Sequence, residues 1–144
     1  MKTVLFLCTG NYYRSRYAEI LFNARAREMG LAWNAVSRGL APDPQNPGPM
    51  SRDTMDALRQ RGISVEEYLR FPIKVTDDDF ESKQHIVAVK EAEHRPMIEL
   101  DFPVRLENVE FWQVHDLDCC GPEEAIPHLD REVTGLLMRL SKTI

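Results

Sequence analysis

The chain has only three cysteines among its 144 residues: Cys8, Cys119 and Cys120. Three thiols build no disulfide framework, which excludes a small secreted scaffold stapled by bridges. Long hydrophobic runs are missing too. Leu5-Phe6-Leu7 is too short for a signal-peptide core, no small-residue cleavage site follows it, and nothing reaches the length of a membrane span. Basic charge is scarce: 18 Lys and Arg against 23 Asp and Glu leave a net charge of −5, which argues against a general nucleic-acid surface. There is no internal repeat and no low-complexity tract. With 43% hydrophobic and 28% charged residues, the expectation is a single globular domain over 1–144 with its own core. Thiols that must stay reduced place it in the cytoplasm, with no membrane and no nucleic-acid partner.

What is present is concentrated near the amino terminus. The apolar run Val4-Leu5-Phe6-Leu7 stops at Cys8, five residues follow, and then come Arg14 and Ser15. Behind Ser15, Tyr17, Ile20, Leu21 and Ala24 recur at helical spacing, with Gly30 as the stop. A buried strand feeding a tight loop that opens a helix is an anion-binding geometry, because the loop N–H groups converge and the helix N-terminus adds partial positive charge. N–H groups that hold an oxyanion also stabilise a thiolate at Cys8. Arg14 is placed to grip two oxygens of a tetrahedral anion through its planar fork. Cys8 then lies beneath the phosphorus as nucleophile. Ser15 hydrogen-bonds the sulfur and helps it leave, while Asn11 braces the loop. The phosphate-binding set is therefore Thr9, Gly10, Asn11, Tyr12, Tyr13, Arg14 and Ser15.

At these residues the chain resembles the low-molecular-weight protein tyrosine phosphatases, including their arsenate reductase-like relatives. The signature C-x-G-N-x-x-R-S is satisfied by Cys8, Thr9, Gly10, Asn11, Arg14 and Ser15, and Ala18-Glu19 continues the usual A-E. The resemblance implies an α/β fold of the phosphotyrosine phosphatase I type: three αβα layers around a four-stranded parallel sheet. It also implies phosphomonoester hydrolysis through a phosphocysteine, with no metal or organic cofactor. The expected substrate is a phosphotyrosine protein or a small aryl phosphate.

The rest of the chain is consistent with such an alternation of strands and helices. Residues 32–36 form a weak strand candidate, and Ser37-Arg38-Gly39-Leu40 resembles the family's S-A-G segment. Residues 41–50 hold four of the nine prolines and read as loop. Ser51 caps a short helix that stops at Gly62. Residues 66–72 read as loop, with Arg70 the remnant of the family's H-x-A/S-R stretch. Thr76 followed by Asp77-Asp78-Asp79 reads as a capped helix start rather than a metal site. Ile86 to Val89 is the clearest buried strand, after which Lys90 stands where the family has an acidic residue. A helix over 91–100 follows, then a last strand over 109–114. From Pro122 onwards, Ile126, Leu129, Val133, Leu136, Leu137 and Leu140 form one helical stripe.

Expelling a phenolate at neutral pH needs a proton donor. The family supplies an aspartic acid in a D-P-aromatic motif after the last strand. This chain offers His115-Asp116-Leu117-Asp118-Cys119-Cys120-Gly121, so Asp116 and Asp118 are both candidates. Counting from Trp112 to Glu123-Glu124 favours Asp116; counting back from Gly121 favours Asp118. Tyr13 stands where eukaryotic members often have a second cysteine, and Arg16 replaces a proline. Cys119 and Cys120 replace aromatic residues of the pocket mouth, and a reversible oxidative bridge from either to Cys8 is conceivable beside the plain reading of two loop residues. A metal set of His115, Cys119, Cys120 and His128 matches no standard zinc spacing. Two rivals remain: an arsenate reductase, for which residues 76–100 lack the relay cysteines, and a non-catalytic phosphate- or phosphotyrosine-binding module that kept the loop but lost the acid.

Overall fold

Five successive buried residues, Val4 to Cys8, make a strand that needs cover on both faces. In the computed structural model, which describes residues 1–116 and 121–142, that cover is supplied by helices. β1 (Lys2–Cys8) lies inside a parallel sheet with β2 (Trp33–Gly39), β3 (His85–Ala88) and β4 (Val109–Phe111), in the order β2-β1-β3-β4. The register sets Cys8 opposite Gly39 and Leu7 opposite Ala88.

Strand alternation divides the core. Val4, Phe6 and Cys8 join the cluster under α1 (Arg14–Met29), α2 (Arg52–Gln60) and α5 (Pro122–Ser141). Leu5 and Leu7 point the other way, to Phe80 of α3 (Asp77–Ser82) and Ile98 of α4 (Glu91–Asp101). The expected three-layer αβα architecture with four parallel strands is thus observed, and the apolar stripe from Ile126 to Leu140 is buried as the sequence predicts. Thr76 and Asp79 form a reciprocal capping box at α3, and Gly30 ends α1 in the left-handed conformation at φ 66°.

Three boundaries differ from expectation. β2 runs on to Gly39, because the whole of β1 offers it a partner. Residues 66–68 form a short 3-10 turn within the expected loop. β4 is shorter than 109–114. After Phe111 the chain still bonds to β3 and the residue after it, with Trp112 N–H to Ala88 O at 2.9 Å and Val114 N–H to Val89 O at 2.8 Å. However, Gln113 meets Lys90 in an antiparallel bridge, which ends the regular ladder. The ends of β1, β3 and β4 consequently open on one edge of the sheet, with the proline-rich segment 41–50 alongside.

Candidate active site

Between the end of β1 and the start of α1, residues 9–13 turn sharply around the Cys8 sulfur. Asn11 takes φ 51°, and it is the single non-glycine residue with positive φ among the described residues. Its side chain is fully used: Nδ2 donates to Ser15 Oγ and Ser37 Oγ, each at 2.9 Å, and Oδ1 accepts from Arg70 Nη1 and Ile73 N–H, each at 3.0 Å. Four hydrogen bonds hold the uncommon backbone conformation in place. Gly39 is required beside it, since a Cβ there would sit 2.9 Å from Asn11 Cβ and from Thr9 O. Arg70, expected as a family remnant, is the residue that reaches Asn11 and Ser37 from the 66–72 segment.

The sulfur has the surroundings the loop pattern predicts. Asn11 N–H donates to Cys8 Sγ at 3.3 Å, and Ser15 Oγ lies 3.0 Å from it. Because Ser15 Oγ already accepts from Asn11, its own proton is left for the sulfur when the thiol is ionised. Cys8, Gly10, Tyr12, Tyr13, Arg14 and Asp116, with Asn46 and Ser51, line one cavity of about 280 Å³. The Tyr12 hydroxyl donates to Pro47 O at 2.6 Å and ties the loop to the proline-rich segment. A larger hollow elsewhere, of about 410 Å³ and lined among others by Ile20, Ala24 and Tyr68, has no cysteine among its lining residues.

Arg14 is 2% exposed and already engaged. Nη1 donates to Val114 O at 3.1 Å, Nη2 donates to Glu93 Oε2 at 2.8 Å, and Asp116 Oδ2 stands 3.5 Å from Nη2. Burial works against its charge, but Cys8, Glu93 and Asp116 overcome that and raise its pKa further.

Glu93 and His94 form the part of the site that sequence reasoning missed. Oε2 of Glu93 receives Arg14, the Thr9 hydroxyl and, at 3.1 Å, His94 Nε2. Burial pushes the carboxyl up, yet the three donors outweigh it and hold it well below the usual carboxylate range. His94 is wholly buried; its Nδ1 accepts from Lys90 N–H at 3.1 Å, so the ring proton belongs on Nε2, facing Glu93. Burial holds this imidazole's pKa down, against the pull of Glu93. In sequence Glu93 is indistinguishable from Glu91: both read as acidic residues favoured in a first helical turn.

Arg16 also gains a physical account. It is fully buried and donates to Asn11 O at 3.3 Å, Pro49 O at 3.0 Å and Tyr68 O at 2.8 Å, joining three otherwise separate segments. Burial, with Arg70 nearby, lowers its pKa to about 10, so it stays cationic at neutral pH.

Of the two aspartates considered as proton donor, Asp116 lines the cavity. Asp118, Cys119 and Cys120 lie outside the described residues, and so do the oxidative bridge and metal set that depend on the cysteines. His115 and His128 share a separate hollow with Glu123 and Glu124. No group of three or more metal-ligating side chains occurs among the described residues. No described helix is long and apolar enough to cross a membrane.

Comparison with known proteins agrees with the geometry. Residues 3–118 match the family model described as low molecular weight phosphotyrosine protein phosphatase. Arsenate reductase of Bacillus licheniformis is 36% identical over 66 residues, which are 46% of this chain and 42% of that protein. The protein-arginine-phosphatase of Bacillus subtilis (strain 168) is 30% identical over 99 residues, 69% of this chain and 62% of that protein. The chain thus spans about half the length of the curated relatives it matches. Among solved structures, YfkJ from Bacillus subtilis superposes with a TM-score of 0.86 at 25% identity, covering 99% of this chain and 96% of that one.

Proposed function

From its membership of the low molecular weight phosphotyrosine protein phosphatase family, we propose that the chain is a cysteine-dependent phosphomonoester hydrolase whose substrates are phosphotyrosine in proteins or small aryl phosphates. One observation carries this reading: the Cys8 sulfur, its Ser15 and Asn11 partners, Arg14 and Asp116 converge on one cavity of about 280 Å³.

The Cys8 thiolate attacks the phosphorus in line. The S–P bond forms as the P–O bond to the phenol breaks, and Asp116 gives its proton to the departing oxygen. The N–H groups from Thr9 to Arg14 and the guanidinium of Arg14 hold the three equatorial oxygens, which carry much of the transition-state charge. Water then attacks the phosphocysteine, Asp116 takes a proton from it, and inorganic phosphate leaves as the thiolate returns to the Ser15 hydroxyl. The scheme needs no metal or organic cofactor. One domain spanning 1–144, working in the reducing cytoplasm where the thiolate survives, suits this chemistry.

The test is turnover of p-nitrophenyl phosphate and of a phosphotyrosine peptide by wild type, Cys8→Ser, Asp116→Asn and Asp118→Asn. Cys8→Ser should lose both activities, and Asp116→Asn should lose mainly the peptide, whose poorer leaving group needs the proton. Retained turnover in Cys8→Ser would overturn the mechanism, and loss confined to Asp118→Asn would reassign the acid. Binding of phosphate without any turnover would mark a phosphate-binding module. The stretch shared with an arsenate reductase supports a second reading. Against it, residues 76–100 contain no cysteine for a thiol relay, and arsenate turnover with thioredoxin but no phosphatase activity would decide for it.

A further inference from the structure

Arg16, in the first turn of α1, is a fully buried cation held only by backbone carbonyls. Nη1 donates to Asn11 O at 3.3 Å and Pro49 O at 3.0 Å, and Nη2 donates to Tyr68 O at 2.8 Å. Among the described residues no carboxylate stands within ion-pair distance of it. Glu19 favours its charge from further off, but that carboxylate is taken by Arg70 and by the Ser37 hydroxyl. Buried charges are ordinarily paired, because dipoles alone offset only part of the desolvation cost. A neutral amide donates to carbonyls without that cost, so joining three segments does not by itself account for a charge here.

Asn11 O shares its peptide unit with the Tyr12 N–H, and in a trans peptide the two point in opposite directions. A cation on the oxygen fixes the peptide plane and makes its N–H a stronger donor. Tyr12 lines the catalytic cavity, and no hydrogen bond within the protein engages its N–H. Neighbouring loop carbonyls are held by neutral donors instead. Cys8 O accepts from Leu40 N–H at 2.9 Å, Thr9 O from Ala41 N–H at 2.8 Å and Tyr12 O from Ser51 N–H at 2.9 Å, while Tyr13 O accepts from Tyr17 N–H at 2.9 Å and the Thr54 hydroxyl at 3.1 Å. Arg14 shares its charge with Glu93 at 2.8 Å and Asp116 at 3.5 Å. The charge of Arg16 is shared with no such partner, and the Cys8 sulfur, once ionised, is near enough to favour it.

We propose that Arg16 is a positioning residue for the phosphoryl group: its buried charge fixes and polarises the Asn11–Tyr12 peptide, so that the Tyr12 N–H holds an equatorial oxygen more strongly, and its field favours a dianion in the cavity. Arg16 does not line that cavity and acts through the loop. This rests on the phosphohydrolase reading, to which it adds a second cation beside Arg14.

The experiment uses two tetrahedral oxyanions of fixed charge, sulfate and perchlorate, as competitive inhibitors of p-nitrophenyl phosphate turnover at neutral pH and constant ionic strength. Wild type, Arg16→Lys and Arg16→Gln are compared. A lost charge acts in proportion to the charge of the anion, whereas a misshapen loop weakens both anions alike. Arg16→Gln should raise the sulfate inhibition constant about 10-fold and the perchlorate constant only about 3-fold. Arg16→Lys should keep both within about 2-fold of wild type while melting lower, since one ammonium does not reproduce the guanidinium fork. Equal losses for the two anions, or wild-type constants in folded Arg16→Gln, would overturn the proposal and leave Arg16 a staple. Should Arg16→Gln fail to fold, Arg16→Lys decides, because a buried ammonium loses its proton at a lower pH than a guanidinium. Calorimetry should then show sulfate binding falling more than perchlorate binding between about pH 8 and pH 10 in that variant alone; parallel falls would overturn the proposal. A wild type that neither turns over p-nitrophenyl phosphate nor binds sulfate would remove the phosphohydrolase reading and this inference together.

Discussion

In the proposed reaction Arg14 holds an oxyanion, yet two of its nitrogens are already committed to Val114 and Glu93. Those commitments orient the guanidinium instead of consuming it, because they fix the plane of the fork before substrate arrives. Glu93 is itself immobilised by Thr9 and His94, so the arginine is clamped to α4 through a carboxylate that stays ionised. Glu93→Gln keeps the shape and removes the charge. A charge-assisted bond of this kind is worth about 1.5–3 kcal/mol, so kcat/KM for an aryl phosphate should fall roughly 10- to 100-fold. Steady-state kinetics of the variant, with circular dichroism as control for folding, will check this. An unchanged kcat/KM would mean that Val114 O alone orients Arg14.

Helix α1 begins without the usual provisions. Tyr13 at its N-cap offers no side-chain hydrogen bond, and its first turn carries no acidic residue but has Arg14 and Arg16. An uncapped, cation-bearing N-terminus is unfavourable alone and favourable once an anion binds there. Helix α4 solves its own terminus differently. His94 bonds back to Lys90 N–H, taking the part that a capping-box side chain plays in α3. That cap is sensitive to acid. Burial holds the His94 pKa down in the fold, whereas an unfolded histidine takes a proton near about 6.5. Below that pH the unfolded chain binds the extra proton first, so stability falls as pH falls. Urea midpoints measured between about pH 7 and pH 5 should decline for wild type and decline less for His94→Gln; Glu93 does not contribute in that window, because its unfolded carboxyl titrates near about 4.3. Parallel slopes for the two proteins would remove His94 as the cause.

Across the molecule the site depends on the sheet whose strand ends carry it. Phe6 lies two residues before Cys8 on the same face, with its ring 6.0 Å from Phe22 and 5.6 Å from Trp112, centroid to centroid. It packs β1 against α1 and against the segment that leads to Val114 and Asp116. Phe6→Ala should cost about 3–5 kcal/mol, a large share of the roughly 5–15 kcal/mol that keeps a domain folded. Urea unfolding will measure it, and a cost below about 1 kcal/mol would mean that the neighbours collapse into the space.

Strand, loop and helix around Cys8 were legible in the sequence because each is local. An apolar run, a glycine and asparagine at fixed offsets, and helical spacing behind Ser15 specify neighbours along the chain. The buried stripe of α5 and the acidic start of α3 were legible for the same reason, since periodicity and capping are also short-range. Contacts that close over long sequence distances were not. Arg14 meets Glu93 across 79 residues, and Val114 across 100; Arg16 reaches Tyr68 across 52. Nothing in the spacing separates Glu93 from Glu91, or a stapling Arg16 from a solvated one. By itself, then, the sequence determined the strand, loop and helix around Cys8 and the layered class of the fold. Only tertiary structure decided what holds the arginine, which aspartate among the described residues lines the pocket, and that the Tyr13 hydroxyl lacks a partner, because burial and distance arise when the sheet brings the ends of β1, β3 and β4 to one edge.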